Sequence, residues 1–315
     1  MNNEKMTNIF ELAGVILGMS LFTLASLYFF PLMFLIFPVV FIVLGIKNGL
    51  LEGIISLMTT CTIVAFVIEP MTALYIFLLF GPLVISMIYT IKKRKSTMEV
   101  LLVGTISFFA SIIVVFGIIN YIEGNLLLTI EQAFKETLNI RIEALKDMGL
   151  TSYEILENKK LLEDAFKYML LIAPATGLLT SLIVSYMNYS LTIIGLRRIG
   201  IYVVNIPRFS RFRLPNNISI GIIVMFITGF VAKQLNFDYF DTIAINLTVL
   251  IGIMFSIQGL SVIDFFLIKI KVKKFFRILF ILLTIIAAPL MTVVSGLGLI
   301  DVIFDLRKLK RKDSL

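Results

Sequence analysis

"IAINLTVLIGIMFSIQGLSVIDFFLI", residues 243–268, is longer than the ~20 apolar residues that cross a hydrocarbon core, and it carries a single ionisable group, Asp264. A helix satisfies its own backbone hydrogen bonds in such surroundings, so the run reads as a membrane-spanning helix. Similar runs recur at 12–30, 32–46, 50–68, 71–91, 100–122, 166–191, 218–235 and 275–296. With 59% apolar residues and a mean hydropathy of +1.02, the composition excludes an ordinary soluble globule. The expected fold is all-α: a polytopic transmembrane helical bundle of about 8–10 spans with an external helical hairpin inserted in it.

Punctuation between the runs supports this division. Pro31 and Pro38 interrupt the first long apolar stretch, and Glu69-Pro70 separates the third run from the fourth. The stretch from Leu12 continues past Phe30 without a small-residue cleavage site and reads as a retained span.

Several chemistries are missing. The chain has no His, no Trp and one cysteine, Cys61, which lies in an apolar run and reads as a packing residue. Disulfides, His/Cys metal sites, the Cys-His dyad and the Ser-His-Asp triad are therefore excluded. No phosphate-loop pattern and no paired-acid spacing of a hydrolase occurs. The expectation is a protein that is not an enzyme, with no catalytic residue, metal or cofactor.

The net charge of +8 is gathered in short loops. Lys92 to Lys95 ("KKRK") form one cluster. Arg197, Arg198, Arg208, Arg211 and Arg213 form a second, and Lys269, Lys271, Lys273, Lys274 and Arg277 a third. Short basic loops are a sidedness signal rather than a nucleic-acid footprint, and they place these three on the cytoplasmic side. Glu69, the segment 123–165, and Asp238 with Asp241 alternate with them as external. A single crossing after Phe275 would put the basic tail 307–312 outside. The breaks at Ala287-Ala288-Pro289 and Ser295-Gly296-Leu297-Gly298 instead suggest two short tilted or re-entrant helices that return it to the cytoplasm.

Residues 123–165 are the one sizeable hydrophilic segment. Thr129 with Gln132 and Thr151 with Glu154 have capping-box spacing, with Gly149 between the two helices they would begin. Leu138, Ile142 and Leu145 make one apolar stripe, so the segment reads as an external amphipathic hairpin. The second helix is expected to run on into the span beginning near Phe166, bent by Pro174.

The 243–268 helix also carries polar groups. At about 100° per residue from Asn246, Asp264 returns to about 0°, Ser261 lies near 60° and Gln258 near 120°, while Gly252, Ser256 and Gly259 gather on the other side. Small residues permit close helix approach. A carboxylate or amide in hydrocarbon needs a partner, so the polar stripe should face the bundle interior. It reads either as hydrogen-bonded packing or, together with Asn188 of "SLIVSYMNYS" (181–190), as a ligand-binding surface: Asn188, Asn246, Gln258, Ser261 and Asp264. Asp301 and Asp305 lie one turn apart with Arg307 close by, and Asp301 or Asp305 is expected to pair with Arg197 or Arg198 at the cytoplasmic interface.

Taken together, "NYSLTIIGLRRIG" (188–200), "FSRFRLPN" (209–216), "IQGLSVIDFF" (257–266) and "GLGLIDVIFDLRK" (296–308) resemble the YybS-type family of bacterial membrane proteins, over essentially the whole chain. The first ~120 residues, with Pro-marked spans followed by "GIKNGLLEGIISL" (45–57), are also similar to the substrate-binding S components of energy-coupling-factor transporters. That second resemblance implies a coupling subunit docked on the first helix through Gly14 and Gly18, which have small-xxx-small spacing, although S components have six spans and lack the 123–165 insert.

The expected organisation is therefore 1–122, S-component-like membrane helices; 123–165, the external hairpin; and 166–315, C-terminal membrane helices with a basic cytoplasmic tail. Two functions are compatible with it. One is binding or transport of a small molecule among the helices. The other is a non-transporting scaffold or regulator that recruits partners through basic cytoplasmic loops. The partners are the lipid bilayer, a coupling subunit or other protein, and a small-molecule ligand, with no nucleic acid. The location is the cell membrane, with both termini cytoplasmic. A reporter fused after Leu315 is expected to be active only in the cytoplasm; periplasmic or surface activity would overturn this sidedness.

Overall fold

The computed structural model describes residues 2–122, 124–203, 207–214, 218–235 and 240–308. Asp238, most of the basic tail and both terminal residues lie outside the described residues. Regular structure among the described residues is helical: α1 (Asn2–Tyr28), α2 (Pro38–Lys47), α3 (Leu50–Val67), α4 (Pro70–Lys92), α5 (Thr97–Ile122), α6 (Leu126–Asp147), α7 (Ser152–Leu171), α8 (Ala173–Arg198), α9 (Ile218–Gln234), α10 (Phe240–Lys269), α11 (Lys274–Ile286) and α12 (Ala288–Phe304), with 3-10 turns at Pro31–Ile36 and Phe209–Arg211. Six of these helices are long and apolar enough to cross a membrane, or seven if α11 and α12 form one bent span.

Where the structure departs from the expected runs, local chemistry gives the reason. The run 32–46 is divided between a 3-10 turn and α2, because Pro31 and Pro38 each open a new helix at a position where a missing N–H does no harm. Pro70 opens α4 in the same way behind the extended Glu69. After Phe275 the chain forms two helices meeting at 110° around Ala287, in line with the two short helices expected. The first surface helix starts at Leu126, earlier than Thr129, because the Asn125 side chain caps it by accepting from the Leu128 N–H. Thr151 and Glu154 do form a reciprocal box: the Thr151 N–H donates to Glu154 Oε2 at 2.9 Å, and the Glu154 N–H donates to Thr151 Oγ1 at 3.4 Å. The Thr151 N–H, and its hydroxyl donating to Glu154 Oε2 at 2.8 Å, hold the Glu154 carboxyl pKa below its ordinary value. Gly149 takes the left-handed turn (φ +80) between α6 and α7 that a side chain would resist. Pro174 breaks the helix rather than bending it, so α7 ends at Leu171 and α8 begins at Ala173.

The chain folds as two compact units. The first comprises Met1–Asp164 and Thr176–Ile206. Its core is a chain of aromatic rings: Phe34 meets Phe80 edge-on at 5.1 Å, Phe37 contacts Phe41 at 4.9 Å and Phe80 at 5.7 Å, and Phe80 reaches Phe108 at 5.6 Å. α4 is central and packs against α2, α3 and α5. Val184, Tyr189 and Ile193 of α8 join the same core. On α6, Leu138 is buried and Ile142 and Leu145 are half-buried, which is the apolar stripe expected from the sequence.

The second unit comprises Ala165–Ala175 and Pro207–Leu315, and is built on the pairing of α10 with α12. These helices run parallel, with Gly252, Phe255 and Gln258 of α10 lying in order against Ser295, Gly298 and Asp301 of α12, and their backbones meet closely. A Cβ on Gly259 would lie 2.0 Å from the Val294 carbonyl oxygen, and one on Gly298 would lie 1.9 Å from that of Phe255. Large apolar side chains such as Phe226, Phe280 and Leu282 point outward, where a bilayer accommodates them.

Gly259→Ala or Gly298→Ala should force these backbones apart and destabilise the protein by ~1–3 kcal/mol. Gly252→Ala meets open space and should be neutral or slightly stabilising. Thermal unfolding in detergent checks both; tolerance of alanine at Gly259 would show that the contact is not tight.

Candidate functional site

The polar stripe of α10 is buried along its length: Asn246, Gln258, Ser261 and Asp264 are all inside the second unit. Each has protein partners. Asn246 spans the break between α7 and α8, where helix ends leave backbone groups unpaired. Its Oδ1 accepts from the Ala175 N–H at 2.7 Å, and its Nδ2 donates to the carbonyls of Leu171 at 2.7 Å and Thr242 at 2.6 Å.

Further along, Gln258 is fully enclosed. Its Nε2 donates to Asp301 Oδ2 of α12 at 2.6 Å, and its Oε1 accepts from the Leu214 N–H at 3.0 Å. Asp301 Oδ2 also receives Arg307, from Nη2 at 2.8 Å and Nε at 3.2 Å, and both side chains are buried. Arg307 Nη1 donates to the Ser210 carbonyl at 2.9 Å and to Ser261 Oγ at 2.7 Å, and Nη2 donates to the Phe212 carbonyl at 2.9 Å. Ser261 Oγ in turn donates to the Phe209 carbonyl at 2.6 Å. One guanidinium and one carboxylate thus fasten residues 209–214 to α10 and α12. Asp301 Oδ1 has no partner among the described residues.

Asp301 or Asp305 was expected to pair with Arg197 or Arg198, and the partner of Asp301 is Arg307 instead. Asp305 ends α12 in left-handed geometry (φ 48), with its N–H donating to the Asp301 carbonyl, and the Lys308 N–H donates to the Asp305 carbonyl. This reversal folds Arg307 back over the last helical turn. Arg197 and Arg198 lie exposed at the end of α8 in the first unit. Asp264 pairs with Arg277 of α11, whose Nε and Nη2 both approach Oδ1 at 2.8 Å.

The structure assigns the remaining candidates as follows. Asn188 is buried in the first unit, donating to the carbonyls of Leu35 and Val184 at 2.8 Å each; its Oδ1 is unpartnered, as is the nearby Ser185 hydroxyl. Gly252 has open space over it and accepts at its carbonyl from Ser295 Oγ at 3.3 Å, whereas Gly259 makes the close helix contact described above. Gly14 and Gly18 are exposed, and beyond their own helix no described residue lies within 4 Å of an added Cβ.

A family model described as a predicted membrane protein (DUF2232) matches residues 15–302. The chain belongs to that family. It is also 23% identical over 264 residues to the "Uncharacterized protein YybS" of Bacillus subtilis (strain 168), an alignment covering 84% of this chain and 83% of that protein. No solved structure matches it. The family match takes in Gln258, Ser261, Asp264 and Asp301 and stops before Arg307.

Sequence reasoning located the stripe because charge and amides on one helical face in hydrocarbon have few alternatives to facing inward. It missed residues 209–214 as their partner, because what those residues contribute is backbone carbonyls and one amide, which leave no mark in side-chain identity.

Breaking the latch should be costly. Arg307→Met leaves a buried carboxylate uncompensated, at ~3–5 kcal/mol, and Gln258→Leu leaves the Leu214 N–H unpaired, at ~1–3 kcal/mol. Arg307→Met with Asp301→Leu should cost less than the sum of the two single changes. A thermal-unfolding double-mutant cycle tests this; strict additivity would mean that the two groups do not interact.

Proposed function

We propose that the chain is a non-transporting membrane scaffold that recruits partners through its basic loops. The observation that carries this reading is that every polar side chain of the α10 stripe is engaged by protein. Both amide groups of Gln258 and of Asn246, the hydroxyl of Ser261 and the carboxylate of Asp264 are bonded to protein. A carrier must exchange such contacts with its solute, and here the exchange would open a latch closed over a buried ion pair.

The basic loops have the opposite character. Arg197 and Arg198 end α8 exposed, on the side that the charge rule assigns to the cytoplasm. They favour an acidic partner surface, through attraction that steers encounter. A coupling subunit docked at Gly14 and Gly18, as the S-component resemblance implies, would be a second recruitment surface, and the open space over both glycines is compatible with it.

The test is purification from native membranes in mild detergent, comparing the wild type with Arg197→Gln/Arg198→Gln and with Gln258→Leu. The scaffold reading expects a stoichiometric protein partner that the double arginine variant loses at unchanged unfolding temperature, and a Gln258→Leu protein that is less stable. A Gln258→Leu protein of unchanged stability that loses a co-purifying small molecule would overturn it in favour of a carrier.

A further inference from the structure

The first unit holds a cleft of about 410 Å³ at the end where α4 and α5 meet, inside the range of ~300–1,000 Å³ usual for small-molecule sites. Its floor is apolar, formed by Ile46, Ile91, Val100 and Val203. Tyr189 closes the inner end, its hydroxyl 3.5 Å from Thr97 Oγ1. The rim is cationic: Lys92, Arg94 and Lys95.

The acids nearby do not neutralise this rim fully. Glu99 is taken by Lys95 at 3.0 Å, and Glu11 by Lys47 at 2.6 Å. Lys93 turns away, its ammonium lying over the Tyr89 ring and bonded to the Tyr89 hydroxyl. Lys92 and Arg94 are exposed and have no carboxylate partner among the described residues. Arg94 holds left-handed backbone (φ 49), a conformation that costs a non-glycine residue and fixes it in the turn beside the cleft.

Two uncompensated cations over an apolar floor suit a molecule that is anionic at one end and hydrocarbon at the other. The cleft also lies where two spans end, which is the depth at which phospholipid headgroups begin. We propose that this cleft binds an anionic phospholipid, with the phosphate against Lys92 and Arg94 and an acyl chain along Ile46, Ile91, Val100 and Val203. The site deepens the recruitment reading by giving one basic loop a lipid ligand. Because it involves neither Arg197 nor Arg198, its failure and the failure of that reading are separable.

The experiment places the full chain in nanodiscs of equal parts phosphatidylglycerol and phosphatidylcholine, and measures retained lipid by native mass spectrometry. Wild type should retain phosphatidylglycerol selectively. Lys92→Gln/Arg94→Gln should bind it roughly 30-fold more weakly, from loss of two basic residues beside an anionic headgroup. Val203→Phe, which fills the floor and leaves the charge intact, should weaken it several-fold, and Ile201→Phe, at another residue lining the cleft, serves the same purpose if that variant unfolds. Lys93→Gln should change nothing. An equal loss with Lys93→Gln would mean diffuse surface charge and overturn the proposal. Retention unaffected by filling the floor, or displacement of the lipid by excess inorganic phosphate alone, would overturn it equally, because the cleft would then take a bare anion.

Discussion

The ion pair of Arg307 with Asp301 is the constraint around which the second unit is arranged. A guanidinium and a carboxylate removed from water are tolerable only if nearly every donor and acceptor around them is satisfied. The chain meets most of that demand, all but Asp301 Oδ1, with groups drawn from four places: Gln258 and Ser261 of α10, Asp301 of α12, the carbonyls of Ser210 and Phe212, and Arg307 beyond the α12 end. The requirement works in both directions. The polar groups hold the 209–214 segment in place, and that segment supplies carbonyls and an N–H that help them to be buried.

Close helix contact makes the latch geometrically feasible. Gly259 and Gly298 bring α10 and α12 to backbone contact, and at that separation Gln258 can reach Asp301 at 2.6 Å. The first unit has a different solution. Its core is assembled on interlocking phenylalanines, and the buried polar groups of that unit are mostly hydroxyls bonded back to their own helix, such as Thr23 to Met19 in α1 and Ser56 to Glu52 in α3. Such bonds hold no second element, so packing shape carries the specificity in that unit, whereas electrostatics carries it in the other.

The basic residues divide along the same line. Arg277 and Arg307 are drawn inward by Asp264 and Asp301 and serve the fold. Lys92, Arg94, Arg197 and Arg198 are left at helix ends, available to lipid or protein. One-dimensional charge counting treats all of these alike, and only the position of a carboxylate in space separates the two groups.

The sequence by itself determined the class of protein, the helices and the inward face of α10. Each follows from a local rule: hydrocarbon demands helices of a certain length, prolines restart them, and a 100° period puts Asn246, Ser261 and Asp264 on one side. The same period separated Gly259 from Gln258, yet α12 meets both. Tertiary structure alone decided the partners. Asp301 takes Arg307 rather than Arg197 or Arg198 because a left-handed turn at Asp305 returns the chain over α12, and the amide of Gln258 is satisfied by a backbone N–H at Leu214. Backbone groups are the same in every sequence. Which of them closes over a buried charge is fixed only when the chain has folded.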